Sequence, residues 1–338
     1  MQENKILYIM VNNILNKVGN TPVVSLPIAN ETNLNVFAKL EFYNPTGSVK
    51  DRAACYIISR LLNEGTIDKG TTLIESSSGN FGVALSAYAK LNGLKFICVI
   101  DKTTLPVNEM LIRLQGAEVI RITEPDDYGG YLMNRIKKVK EIVNNTDNIY
   151  WINQYANPLN ARAYYNSLGI EICLEAPRQK IDYLFMGISS GGTITGVSQK
   201  VKENYPNAKI VAVDVDGSRI FGGKGHKRFI PGIGSSMRPD ILEYAIIDDV
   251  ISVNEDETIN ACHELLERHN LYAGGSSGSV YAGIKKYFNL NKVDSQVNIM
   301  CVFADSGERY ITTIYNDKWG EMVREYNLSR QYSEPIAV

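Results

Sequence analysis

The chain has 338 residues, with 35 basic against 37 acidic side chains, a formal net charge of −2 and 44% hydrophobic residues. This composition is that of a folded globular protein, and it excludes a collagen-like or largely disordered chain. A net charge near zero gives no electrostatic reason to expect nucleic acid or a membrane as a partner. The length favours two domains with a cleft between them.

The five cysteines are scattered and form no Cys-x-x-Cys pair, which is typical of reduced thiols in a protein core. Only three histidines are present, and the histidines and cysteines do not have the spacing of a zinc site, so no metal site is predicted. The apolar patch within residues 1–22 is short and interrupted by Asn and Lys, unlike a signal peptide or a membrane span. We therefore expect a cytoplasmic protein.

Short β-branched runs alternate with longer amphipathic stretches, which predicts an α/β chain with mainly parallel sheets. The first predicted helix, in 51–65, carries apolar residues at helical spacing and ends at Gly65, and the second, in 79–93, ends at Gly93. The predicted strands are 35–42, 71–76, 95–101, 117–123, 183–188, 209–216 and 297–305.

Lys50 follows a proline-glycine turn in the stretch "NPTGSVKDR", residues 44–52. Most lysines are exposed to solvent, so this residue taken alone is expected at the surface. A lysine amine can also form a Schiff base with an aldehyde when burial or nearby positive charge lowers its pKa. Asp51 and Arg52 are expected to anchor the following helix.

Three turns of small residues each precede a predicted helix: "ESSSGNFG" at 75–82, "GISSGGTITG" at 187–196 and "YAGGSSGSVYAG" at 272–283. Serine, threonine and glycine let backbone N–H groups converge on an anion at a helix N-terminus. Each turn taken alone is also compatible with an ordinary helix cap or strand-helix connection. Three turns at the expected carboxyl edge of parallel sheets predict one cleft that binds a small anionic molecule.

In this order, the motifs "NPTGSVKDR", "SSGN", "GGTITG", "GGSSGS" and "DSGERY" resemble those of pyridoxal-phosphate (PLP) enzymes of the cysteine synthase and cystathionine β-synthase family. The resemblance covers about 300 residues and implies the tryptophan synthase β fold, with two three-layer α/β/α domains and the cofactor in the cleft between them. The smaller, mobile domain is expected at 45–156. The larger domain is expected at 1–44 plus 157–330, followed by a tail at 331–338.

The same resemblance assigns a role to each matching residue. Lys50 becomes the Schiff-base lysine and the group that moves the Cα proton, and Asn80 hydrogen-bonds the phenolic oxygen of the cofactor. Ser276 faces the pyridine nitrogen, where a hydroxyl gives a weaker electron sink than a carboxylate and so favours β-elimination over transamination. The cofactor phosphate is expected at Ser189, Ser190, Gly191, Gly192 and Thr193. The substrate carboxylate is expected at Ser77, Ser78 and Asn80.

The stretches at 124–139, 150–160, 216–222 and 231–242 resemble one branch of the family. That branch makes N-(2-amino-2-carboxyethyl)-L-glutamate from O-phospho-L-serine and L-glutamate through an aminoacrylate, on the route to 2,3-diaminopropionate for siderophores. Arg135, Tyr155 and Ser189 match this branch as substrate-binding residues. Arg135 also belongs to a basic run, 135–140, for which the alternative is a solvated helix face.

Two alternatives stay open. One is a cysteine synthase that uses O-acetylserine or O-phosphoserine with sulfide, or a cysteine-consuming lyase that releases sulfide; the run Gly191–Gly192–Thr193 is that of ordinary cysteine synthases. The other is a catalytically idle family member that acts as a binding partner. The resemblance also implies a homodimer.

Overall fold

The computed structural model describes residues 12–126 and 130–333, with side chains to residue 330. Predictions for residues 1–11, 127–129 and 334–338 lie outside this range. The helices are α1 (Lys50–Asn63), α2 (Asn80–Leu91), α3 (Pro106–Leu114), α4 (Leu132–Asn145), α5 (Pro158–Tyr165), α6 (Leu168–Leu174), α7 (Gly192–Asn204), α8 (Glu255–His269), α9 (Gly275–Leu290) and α10 (Asp317–Ser333).

The strands form two separate sheets. In chain order they are β1 (Val23–Ser25), β2 (Leu34–Leu40), β3 (Thr72–Ser76), β4 (Lys95–Asp101), β5 (Glu118–Ile122), β6 (Ile149–Trp151), β7 (Tyr183–Gly187), β8 (Lys209–Val215), β9 (Asp249–Val253) and β10 (Val297–Phe303). The larger sheet has the order β1-β2-β10-β7-β8-β9, and the smaller sheet has the order β5-β4-β3-β6. Only the pairing of β1 with β2 is antiparallel among the described strands. The predicted α/β fold with mainly parallel sheets is confirmed.

Both predicted N-terminal helices are present, and their ends follow the sequence signals. α1 buries Ala53, Ile57, Ile58 and Leu61 on one face, as their spacing predicts. Gly65 and Gly93 follow α1 and α2 in the left-handed conformation, which glycine adopts without strain.

The apolar core runs through the strands of both sheets and the helices that cover them. One buried cluster joins Leu73 and Ile100 of the smaller sheet to Leu184 and Met300 of the larger sheet. A second cluster lies on the other face of the larger sheet, around Phe185 and Phe303. Within the described ranges, no helix combines the length and the apolar character needed to cross a membrane.

The division of the strands follows the chain. All four strands of the smaller sheet fall between residues 72 and 151, whereas the larger sheet takes strands from both ends of the chain. The loop before α1 meets the end of β10, because Val49 N–H donates to the Ala304 carbonyl at 2.8 Å and Ser48 forms a bridge with Asp305. The start of α1 is therefore fixed against the larger sheet.

Candidate active site

A cleft of about 640 Å³ opens at the carboxyl ends of strands from both sheets. It receives the residues that follow β3, β4, β7 and β10, which is where α/β proteins bind ligands. Eleven of the twelve predicted site residues line it: Lys50, Ser77, Ser78, Asn80, Arg135, Tyr155, Ser189, Ser190, Gly191, Thr193 and Ser276.

Gly192 is the predicted site residue that does not line this cleft. It begins α7, and a Cβ at this position would come within 2.4 Å of the Asn160 side chain. The glycine is therefore needed for close packing of α7 against α5. Its backbone N–H still belongs to the first turn of the helix.

Lys50 is the first residue of α1 and is part-buried at the wall of the cleft. Loss of water around the ammonium lowers the pKa of Lys50 to about 8, although the negative charge of Asp305 opposes the shift. At neutral pH a useful fraction of this amine is therefore unprotonated, unlike that of a surface lysine. The surface alternative for Lys50 is wrong.

The two residues after Lys50 hold the helix in place. Asp51 accepts from the Thr46 backbone N–H at 2.9 Å, from its hydroxyl at 2.7 Å and from the Tyr88 hydroxyl at 3.0 Å. Arg52 lies buried between Glu41 and Glu171, at 2.6 and 2.7 Å. These contacts agree with the predicted anchoring role, since both side chains point into the fold.

The first serine turn joins β3 to α2. Ser77 Oγ accepts from the Gly82 backbone N–H at 2.9 Å, so this serine pairs an N–H of the first turn of α2 as well as lining the cleft. Asn80 Nδ2 donates to Asp305 Oδ2 at 2.7 Å, and Asn80 Oδ1 accepts from Arg309. The amide of Asn80 is thereby fixed in one orientation, with the second N–H of Nδ2 left for a ligand.

The second turn joins β7 to α7. Gly191 adopts φ +85° before the first helical residue, and a Cβ there would lie 2.8 Å from Leu242. The turn thus brings the N-terminus of α7, with the neighbouring hydroxyls of Ser190 and Thr193, to the cleft. Such an end attracts an anion through its free N–H groups and helix dipole.

The third turn also lies at the edge of the sheet where the cleft opens, but it does not follow a strand directly. It follows α8 and not a strand, and it lies beside the end of β10 because Ala273 forms a bridge with Ser306. Gly274 permits this approach, since a Cβ there would come within 2.0 Å of Asp305 Oδ1. Ser276, in the first turn of α9, lines the cleft.

Arg135 lies on α4 and is only 8% exposed, whereas Lys137 and Lys140 of the same helix face solvent. The alternative of a solvated helix face is thus wrong for Arg135. Its Nε lies 3.4 Å from Asp101 Oδ2, but neither Nε nor Nη1 has a hydrogen-bond acceptor among the described residues. A buried guanidinium with unused donors is suited to an anionic ligand.

Tyr155 lies within electrostatic range of Arg135 and of a second arginine, Arg228, which also lines the cleft. Burial raises the pKa of Tyr155 to about 12, and the two guanidinium charges oppose that rise. The hydroxyl therefore stays protonated and can donate to a ligand. Ser189 Oγ donates to the Gly234 carbonyl at 3.1 Å, which joins the 188–191 turn to the loop that carries Arg228.

Two residues near the predicted site were not predicted from the sequence: Arg228 lines the cleft, and Asp305 lies behind Lys50 and Asn80. Asp305 accepts from the Asn80 amide and, at 2.5 Å, from the Tyr310 hydroxyl, and burial raises its pKa. It belongs to the quoted motif "DSGERY", but nothing in that motif indicated proximity to Lys50. Arg228 lies between the stretches 216–222 and 231–242, in a loop whose sequence has no regular hydrophobic pattern.

A family model described as "Pyridoxal-phosphate dependent enzyme" matches residues 14–305. The chain belongs to this family of pyridoxal-phosphate-dependent enzymes. The cleft suits the cofactor, since it brings together an amine of lowered pKa, a helix N-terminus with hydroxyls for a phosphate, and the Ser276 hydroxyl.

Three solved structures are similar to this PLP enzyme over nearly their whole length. The O-acetylserine-dependent cystathionine β-synthase from Helicobacter pylori has 30% identity and a TM-score of 0.84, covering 91% of this chain and 100% of the other. A hydrogen sulfide-producing enzyme from Fusobacterium nucleatum has 29% identity and a TM-score of 0.82, covering 89% and 100%. An O-ureido-L-serine synthase has 26% identity and a TM-score of 0.80, covering 92% and 99%. These neighbours support the predicted tryptophan synthase β-like fold and a chain of the β-replacement and lyase type.

Proposed function

We propose that this PLP enzyme replaces the phosphate of O-phospho-L-serine with the amine of L-glutamate and forms N-(2-amino-2-carboxyethyl)-L-glutamate. The observation that carries the proposal concerns Arg135, which is buried at the cleft that Lys50 also lines. Its Nε and Nη1 make no hydrogen bond to an acceptor among the described residues. The charge of Arg135 has Asp101 as a neighbour at 3.4 Å, but buried N–H donors without an acceptor remain costly unless a ligand accepts from them. Phosphate and carboxylate accept two hydrogen bonds from a guanidinium, whereas sulfide offers no such oxygen atoms.

Pyridoxal phosphate, when bound, supplies the electron sink that lets the β-substituent of an amino acid leave. In this proposal Ser189, Ser190, Gly191, Gly192 and Thr193 hold its phosphate at the start of α7. Lys50 would bind it through Nζ, and Ser276 would offer its hydroxyl to the ring nitrogen.

The remaining side chains bind and orient the amino-acid substrates. Ser77, Ser78 and the free N–H of Asn80 Nδ2 hold the substrate carboxylate, while Arg135 and Tyr155 hold the phosphate ester. Lys50 Nζ, once free, takes the Cα proton and later returns it, which its pKa of about 8 permits near neutral pH.

In the overall reaction, one bond to Cβ is broken and one is formed. The Cβ–O bond breaks and phosphate leaves with the electron pair. The glutamate amine forms a bond to Cβ and releases a proton.

We further propose a cytoplasmic homodimer in which 45–156 moves as a smaller domain, with 1–44 and 157–330 as the larger domain and 331–338 as a tail. Support for the division comes from the separate sheet within 72–151. Sedimentation of the purified protein tests the dimer, and a monomer at working concentration would contradict it.

The second candidate function is sulfide chemistry, which is favoured by the likeness to the hydrogen sulfide-producing enzyme from Fusobacterium nucleatum. Purified enzyme is incubated with O-phosphoserine and either glutamate or sulfide, and released phosphate is measured. We expect phosphate release to depend on glutamate. Release that depends on sulfide and ignores glutamate would support the second candidate, and a colourless, inactive protein would support an idle family member.

A further inference from the structure

The loop 217–236 carries a second buried guanidinium to the cleft. Arg228 Nη1 is shielded from solvent and has no hydrogen-bond acceptor among the described residues. Arg228 Nη2 donates to Ser236 Oγ at 3.4 Å. The cleft thus has two arginines with unused buried donors, Arg135 from α4 and Arg228 from this loop.

The loop fixes the position of Arg228 closely. The next two backbone N–H groups, of Phe229 and Ile230, donate to Glu255 Oε1 at 2.5 and 3.1 Å. On the other side, a Cβ at Gly234 would lie 2.4 Å from Arg228 Nη1, so the guanidinium lies against this glycine. Gly234 also accepts from Ser189, which joins Arg228 to the predicted substrate-binding turn.

A purely structural role for Arg228 would require a carboxylate partner. Asp214 and Glu255 are the acidic groups that act on it electrostatically, yet no acidic group of the described ranges forms an ion pair with it within 4 Å. Asp214 accepts instead from the Val215 backbone N–H, and Glu255 from the N–H groups of the loop. The donors of Nη1 therefore remain for a ligand in the cleft.

The charges of the two proposed substrates match this arrangement. O-phosphoserine brings one phosphate besides its amino-acid group, and glutamate brings one distal carboxylate. Tyr155 lies within electrostatic range of the guanidinium groups of both Arg135 and Arg228, so anions bound at these two arginines would be neighbours. Two separate anionic groups in one cleft repel each other unless each is paired with a positive charge.

We propose that Arg228 binds the distal carboxylate of the attacking amino acid and makes the enzyme select a dicarboxylic amine as nucleophile. This inference rests on the proposed function. It assigns the phosphate ester to Arg135 and the side chain of the second substrate to Arg228.

The test compares glutamate with glutamine, which keeps the amine and the α-carboxylate but lacks the distal negative charge. Initial rates of the cofactor-loaded enzyme are measured at saturating O-phosphoserine. In Arg228→Gln the KM for glutamate should rise about 10- to 100-fold, since a charged hydrogen bond is lost. The KM for O-phosphoserine and the rate with glutamine should stay unchanged. Arg228→Lys should recover part of the glutamate affinity.

Lys227→Gln is the matched control, because it removes a neighbouring positive charge. The Lys227 ammonium lies over the rings of Phe229 and Tyr326, at 4.2 and 5.2 Å. This variant should keep the wild-type KM for glutamate. Thermal unfolding and the yellow colour of bound cofactor verify that each variant is folded.

Three results would overturn the inference: an unchanged KM for glutamate in folded Arg228→Gln, an equal rise for glutamate and glutamine, or a rise for O-phosphoserine alone. A wild-type enzyme that releases no phosphate with glutamate overturns the proposed function, and the inference with it. If the wild type uses glutamate and Arg228→Gln still prefers glutamate to glutamine as strongly as the wild type does, the inference alone is overturned.

Discussion

Two groups of cleft residues are suited to negative charge by different means, and we call them the cofactor side and the arginine side. The turn before α7 offers backbone N–H groups and hydroxyls, which carry no net charge to bury. By contrast, Arg135 on α4 and Arg228 on the 217–236 loop present whole charges with unused donors. Because burying a charge costs far more than burying an N–H group, the arginine side is hard to explain without an anionic ligand, whereas the turn also serves helix packing.

Replacing Lys50 tests the cofactor side and should have the largest effect. Lys50→Ala should lose the yellow colour of bound cofactor, and the rate of phosphate release should fall by about 10³-fold or more, because both the attachment and the proton carrier are lost. Visible absorbance and initial rates measure the two effects. Lys102→Ala removes another lysine that lines the cleft and should stay yellow. A fully active, coloured Lys50→Ala would contradict the account.

Replacing Arg135 tests the arginine side and should have a smaller effect that depends on the substrate. In Arg135→Gln, kcat/KM for O-phosphoserine should fall about 10- to 100-fold, since a charge-assisted contact is worth ~1.5–3 kcal/mol. For O-acetylserine, which has no phosphate, it should change little.

Lys138→Gln is the matched control for this variant. It removes a charge of the same helix that pairs with Glu141 at the surface, at 2.7 Å. If kcat/KM in Arg135→Gln fell equally for O-phosphoserine and O-acetylserine, Arg135 would not bind the phosphate leaving group.

A third experiment concerns Asp305, where the effect should be smallest. The negative charge of Asp305 raises the pKa of Lys50 against the effect of burial, so Asp305→Asn should lower that pKa below about 8. The neutral amine is the form that captures an aldehyde. The rate at which cofactor-free protein turns yellow should therefore rise with pH through a midpoint near 8 in wild type, and through a lower midpoint in the variant. A midpoint that stays in place would contradict electrostatic coupling of these residues.

The same contrast explains what could be predicted from the sequence. Turns of glycine and serine before helices are local features, because the backbone conformation of Gly191 and the hydrogen bond from Gly82 N–H to Ser77 depend on nearby residues. The turns that line the cleft could therefore be predicted, as could α1, α2 and seven of the eight longer strands, whereas β9 was missed. The strands β1 and β6 have three residues each and carry too little pattern.

The arginine side depends on contacts far apart in the chain. The basic run 135–140 has the composition of a solvated helix, and only the packing of α4 on the smaller sheet buries Arg135. Arg228 comes from an irregular loop whose position depends on Glu255 and Ser189. Asp305 is 255 residues from Lys50 in the chain and meets it only because β10 ends beside α1. Such proximity has no periodic signal in the sequence.

The most direct test of the central claim is the fate of the glutamate nitrogen. The enzyme is given O-phosphoserine together with glutamate whose amine nitrogen is isotopically labelled, with sulfide present in a parallel reaction, and the products are analysed by NMR and mass spectrometry. We expect one product in which the labelled nitrogen is bonded to the Cβ of the former phosphoserine, with one phosphate released for each product molecule. Cysteine as the sole product, or phosphate release without transfer of the label, would contradict the account.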